Sequence, residues 1–81
     1  MILPDSELTE QVIACAYRVH NTLGASFLEK VYENAMAIEL ERRDIAFQMQ
    51  APMKILYQGK VVGGYFADIL IEDRLICELK A

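Results

Sequence analysis

The chain is poor in the features that mark several common protein classes. Its two cysteines, Cys15 and Cys77, lie far apart, with no C-x-x-C pair and no clustering of histidine, of which there is one. That spacing excludes a disulfide framework and a zinc site, and it reads as two buried thiols of a reducing cytoplasm. No apolar run is long enough to cross a bilayer, and Met1-Ile2-Leu3-Pro4 leads into Asp5 and Glu7 without a basic segment. Neither a membrane span nor a signal peptide is therefore expected. Internal repeats, low-complexity tracts and linkers are absent from the sequence.

Basic charge is also scarce. The formal net charge is −4. Residues 1–44 carry eight acids against four bases (Arg18, Lys30, Arg42 and Arg43), and residues 45–81 carry four of each. The whole negative excess lies in the first part. No basic stripe of the kind that grips a phosphate backbone is visible, and Arg42-Arg43 and the pair Lys54 and Lys60 read as surface charge.

What the chain does have is apolar content. At 54% hydrophobic residues over 81 positions it has material for one small core. Domains of this size bury only about 60% of their unfolded surface, so residues 1–81 form at most a single domain of marginal stability. Leu8, Val12, Cys15, Ala16, Val19 and Leu23 recur at intervals of three and four, which predicts a helix from about Ser6 to Leu23, closed by Gly24. A second helix is predicted over about Phe27–Arg43, with Ser26-x-x-Glu29 as a capping box. Strands follow: Ile45–Gln50, which Pro52 interrupts or makes an edge; Met53–Tyr57 and Val61 onward, joined across Gln58-Gly59-Lys60; and a bulge or bend at Gly63-Gly64 before Tyr65. The expectation is an α+β domain, two N-terminal helices packed on a three- to four-stranded antiparallel sheet.

The stretch Tyr65 to Lys80 carries the chemistry. It reads as two apolar strands joined by Glu72-Asp73-Arg74, with Asp68, Glu78 and Lys80 as charged interruptions. A three-residue connection pairs Ile71 with Leu75 and Ile69 with Cys77 and keeps the apolar residues on one face. The same register sets Asp68 opposite Glu78, about 4.5–5.5 Å apart at Cβ, with Lys80 one step along. Carboxylates that close need a cation between them or a shared proton. Lys80 is one such cation, and Mg²⁺, which accepts a couple of carboxylates and keeps its waters, is another. With a lysine placed to help deprotonate a bound water or stabilise charge on phosphate, the trio suits metal-assisted phosphodiester hydrolysis. The alternative is a salt-bridged trio on the exposed face of an edge hairpin. Gln48 and Gln50 are placed to orient a metal-bound water or contact phosphate, or simply to face solvent.

The order Asp68, then Glu78-Leu79-Lys80, resembles the D…(D/E)-x-K signature of the PD-(D/E)XK nucleases. With His20-Asn21-Thr22-Leu23-Gly24, Phe27-Leu28-Glu29-Lys30-Val31-Tyr32-Glu33, Tyr65-Phe66-Ala67-Asp68 and Glu78-Leu79-Lys80-Ala81, the chain resembles the GxxExxY branch from about Val12 onward. Two positions depart from the pattern. Ser26 stands at a usual glycine, and Ala67 stands where the name has proline.

The resemblance implies a restriction-endonuclease-like core lacking its C-terminal helix and strand, and hence an open apolar edge and a homo-oligomer. It implies a cytoplasmic, metal-dependent nuclease acting on DNA or RNA with Mg²⁺ (or Mn²⁺). Asp68 and Glu78 would hold the metal, the Leu79 carbonyl and Glu29 would add ligands, Lys80 would be catalytic, and His20 would contact substrate phosphate. Read from the residues alone, Glu29 is fully explained by the capping box and His20 by the helix C-terminus. A non-catalytic interaction or nucleic-acid-associated module with the same fold is the alternative function.

Overall fold

The computed structural model describes residues 6–79. Two helices, α1 (Ser6–Leu23) and α2 (Glu29–Arg42), precede three strands, β1 (Phe47–Tyr57), β2 (Lys60–Ile71) and β3 (Leu75–Cys77). The strands form one antiparallel sheet in the order β1-β2-β3. This is the expected α+β arrangement, with three strands in the sheet.

The periodicity of α1 becomes its packing face. Val12, Cys15 and Val19 are buried and meet Met36 and Leu40 of α2 and Ile69 and Ile71 of β2 in one core cluster. Gly24 ends α1 with φ +72° and donates its N–H to the His20 carbonyl at 2.8 Å, the left-handed termination that glycine makes cheap. α2 ends in a Schellman motif. Asp44 takes φ +56°, its N–H reaches the Glu41 carbonyl, and the Ile45 N–H reaches the Leu40 carbonyl. Ile45 and Leu40 are both core residues, so the motif turns the chain while its flanking apolar pair stays buried.

The start of α2 departs from expectation. The helix begins at Glu29 rather than Phe27, and its N-cap is Leu28, whose side chain makes no cap hydrogen bond. Ser26 sits in a bend at φ +81°. The turn is closed instead by Tyr32, whose hydroxyl accepts from the Phe27 N–H at 3.3 Å and donates to the Gly24 carbonyl at 2.7 Å. Because Ser26 is left-handed, its Cβ carries a strain that glycine lacks. Ser26→Gly should raise stability by roughly 0.5–1 kcal/mol, measured by urea denaturation, the relief of strain outweighing the extra freedom of the unfolded chain.

Of the two readings of Pro52 the edge one holds: β1 runs through it as an edge strand, where a missing donor is tolerated. The sheet corrects two further expectations. The irregularity in β2 falls at Val62, where the register shifts between Ile55 and Leu56, rather than at Gly63-Gly64. The β1–β2 turn is the two-residue loop Gln58-Gly59, both with positive φ (+50° and +80°), so Lys60 is already paired with Tyr57. β3 is short, and the cause of its ending at Cys77 lies in the site.

Candidate active site

The register of β2 and β3 is the anticipated one: Ile71 pairs with Leu75, Leu70 with Ile76 and Ile69 with Cys77. A turn of Glu72 and Asp73 in left-handed conformations (φ +53° and +55°) and Arg74, whose N–H donates to the Ile71 carbonyl, sets it. Glu72 also ties this turn to the approach to β1. Its N–H donates to the Ala46 carbonyl at 2.9 Å, and its Oε1 accepts from the Ala46 N–H at 3.2 Å. Burial of Ile69 and Ile71 against the helices leaves no alternative register, because a one-residue slip would turn both to the open face.

The paired residues end at Ile69↔Cys77, and Glu78 lies just outside β3. The strand ladder stops there. Asp68, half-buried, accepts the Leu79 N–H on its Oδ2 at 2.8 Å, so a carboxylate stands where a strand carbonyl would continue the ladder. That bond holds one oxygen of Asp68 in place. Oδ1 makes no hydrogen bond among the described residues. Glu78 is exposed. The Cys77 thiol registers both acids: burial pushes its pKa up, and the charges of Asp68 and then Glu78 push it further.

The face opposite this pair is built from β1. Gln50 lies between the pairs Met49↔Ile69 and Ala51↔Ala67, level with Asp68, and has φ +49°. The register of β1 on β2 runs unshifted across this left-handed residue. Its Nε2 donates to Oε1 of Glu33 at 2.7 Å, across to α2. Glu33 is 6% exposed, the only buried charged residue among those described. Gln50 was anticipated as a substrate contact; its partner Glu33 was not anticipated at all. The signal was available, because Glu33, Met36 and Leu40 recur at helical spacing and an acid on a buried stripe requires a partner.

Glu29 and His20 lie elsewhere. Both are exposed and line a cavity of about 370 Å³ between the C-terminus of α1 and the start of α2, together with Phe27, Tyr32, Met36 and Leu79. Leu79 links the two regions: its N–H is on Asp68 and its side chain lines the cavity. Among the described residues no three His, Cys, Asp or Glu side chains converge closely enough to hold an ion. Glu29 sits at the rim of the cavity that Leu79 also lines, and Asp68 lies beside Leu79 at the end of the β2–β3 ladder. Lys80 lies outside the described residues.

An α+β core with an acidic pair at the end of a central hairpin defines the class, a nuclease-like domain. A family model for the PD-(D/E)XK nuclease superfamily matches residues 6–81, nearly the whole chain, and the protein belongs to that superfamily. No curated protein and no solved structure matches it. Nucleases of this superfamily generally use divalent metals. The donors present fit such an ion: Asp68 and Glu78 are hard oxygen ligands, and Mg²⁺ needs only one or two carboxylates beside its waters.

Proposed function

We propose that this chain is a metal-dependent nuclease of the GxxExxY branch, hydrolysing phosphodiester bonds of nucleic acid. The observation that supports the reading is the hydrogen bond by which the Leu79 N–H holds one Asp68 oxygen just beyond the Ile69↔Cys77 pair, on the segment that carries Glu78. In this reading Asp68 and Glu78 hold Mg²⁺ or Mn²⁺. The ion would polarise the phosphate and acidify a bound water. Lys80, two residues after Glu78, supplies a proton acceptor or a positive charge for the transition state. Gln50, braced by Glu33 and level with Asp68, is placed to hydrogen-bond a phosphate oxygen or a water. His20 and Glu29, at the cavity rim, would meet the substrate beyond the cleaved bond, with Glu29 as an auxiliary ligand. The reading places the enzyme in the cytoplasm.

Two measurements test it. Mn²⁺ should raise the thermal midpoint of the wild type by several degrees at saturating concentration, and this shift should vanish in Asp68→Asn. Cleavage of a mixed single- and double-stranded nucleic-acid panel should require the metal and disappear in Lys80→Ala. A metal-induced shift without cleavage of any substrate would leave a metal-binding module. The absence of both would remove the nuclease reading. The acidic balance of residues 1–44 is the observation that favours a non-catalytic module, since it opposes tight backbone binding.

A further inference from the structure

The loop between α1 and α2 is exposed but held in place. Residues 25–27 all face solvent. The Tyr32 hydroxyl accepts from the Phe27 N–H and donates to the Gly24 carbonyl, so both ends of this stretch are tied to α2. The Phe27 and Tyr32 rings meet edge to face, their centroids 6.3 Å apart and their planes at 70°. Phe27 remains 47% exposed at the mouth of the cavity of about 370 Å³. Met36 and Val19, both buried in the core, form its floor. His20, Ser26 and Glu29 supply a polar rim. A hollow with an apolar floor, an open aromatic ring and a few polar groups at its mouth has the make-up of a small-ligand site, and its volume falls at the low end of such sites.

We propose that this cavity takes one unpaired base of a nucleic-acid strand, which makes single-stranded nucleic acid the substrate class of the neighbouring Asp68 site. The substrate assignment rests on the nuclease reading; the binding of a base does not.

Three observations choose a base. The first is continuity with the candidate site. Leu79 lines the cavity and donates its N–H to Asp68 Oδ2 at 2.8 Å. The two regions are one residue apart, on the scale of a phosphate and its own base. The second is charge. The chain carries −4 and no basic stripe, so the phosphate backbone offers it little attraction. A strand is then held through its bases, and stacking on an aromatic ring needs no net charge. The third is the rim. The Ser26 hydroxyl and the His20 imidazole can each donate and accept, and the Glu29 carboxylate accepts. That mixture suits the donor and acceptor edge that a base exposes only when unpaired. A duplex hides this edge and would have to extrude a nucleotide first. An aliphatic ligand uses neither the ring nor the rim.

The four methionines provide the test. In the full chain labelled with ¹³C-methyl methionine, a short single-stranded oligonucleotide of mixed sequence is added without metal, up to about 1 mM. The Met36 methyl signal should shift and saturate, while Met49 and Met53, on β1 and outside the cavity, stay in place. An abasic strand of equal length should leave Met36 unmoved. Phe27→Ala should weaken binding by about tenfold or more, the worth of one base stack. Phe66→Ala, which removes a ring 65% exposed on β2, should not. With Mn²⁺, single strands should be cleaved in preference to duplex, and Phe27→Ala should raise KM more than it lowers kcat.

A Met36 signal that the strand does not move overturns the proposal. So does an equal shift from the abasic strand, equal affinity for indole, or unchanged affinity in Phe27→Ala. Duplex cleaved as readily as single strands overturns the substrate class. A Met36 shift without cleavage of any strand keeps the base site and removes the nuclease reading; cleavage with Met36 unmoved does the reverse.

Discussion

Asp68→Asn is expected to lower metal-dependent cleavage by roughly 10²–10³-fold while leaving the fold intact, the scale of losing one group that stabilises transition-state charge. Asparagine keeps an oxygen in place to accept the Leu79 N–H at the position where Oδ2 accepts it at 2.8 Å, and it loses only the charge a metal needs. Asp68→Ala removes both. It leaves the partly buried Leu79 amide without its acceptor and should cost a further 1–3 kcal/mol or so in stability. The pair separates the two roles of one carboxylate. Activity falls in both variants, and urea denaturation detects a loss only in alanine. Equal stability losses would mean that the charge itself holds the end of the hairpin. Full activity in Asp68→Asn would place the chemistry elsewhere.

The second large effect is the converse. Ile69→Ala should destabilise the fold by about 2–5 kcal/mol, as expected for a fully buried aliphatic side chain cut to alanine. Ile69 is 0% exposed and pairs with both Met49 and Cys77, so it fixes β2 against both of its neighbours. A chain of 81 residues has a total stability on the order of 5–10 kcal/mol, so this loss approaches unfolding at moderate temperature. Activity per folded molecule, measured well below the lowered midpoint, should stay within a few-fold of the wild type. A selective loss of activity in a folded Ile69→Ala protein would show that the register of Asp68 and Glu78 depends on this one side chain.

The site was legible in the sequence as far as backbone periodicity reaches. Ile69, Ile71, Leu75 and Cys77 alternate so strictly that only one pairing keeps them together, and that is the pairing β2 and β3 adopt. The Glu33–Gln50 hydrogen bond joins residues 17 apart on a helix and a strand, and it depends on a left-handed Gln50 that no local pattern announces. The start of α2 was misread for a related reason. Ser26 and Glu29 match a capping box in sequence, but Ser26 takes φ +81° and the helix takes Leu28 as its N-cap, which no local pattern announces.

The sequence by itself determined the helix pair and the antiparallel hairpins. Each of these follows from spacings of two, three or four residues, which backbone geometry converts directly into direction. Only the tertiary structure decided that Glu33 is buried against Gln50, that Glu29 lines a cavity with Leu79, and that the outer ends of β1 and β2 stand exposed. Those outcomes depend on how a helix lies across a sheet and on where neighbouring strands end, and such distances are set by packing between elements far apart in the chain.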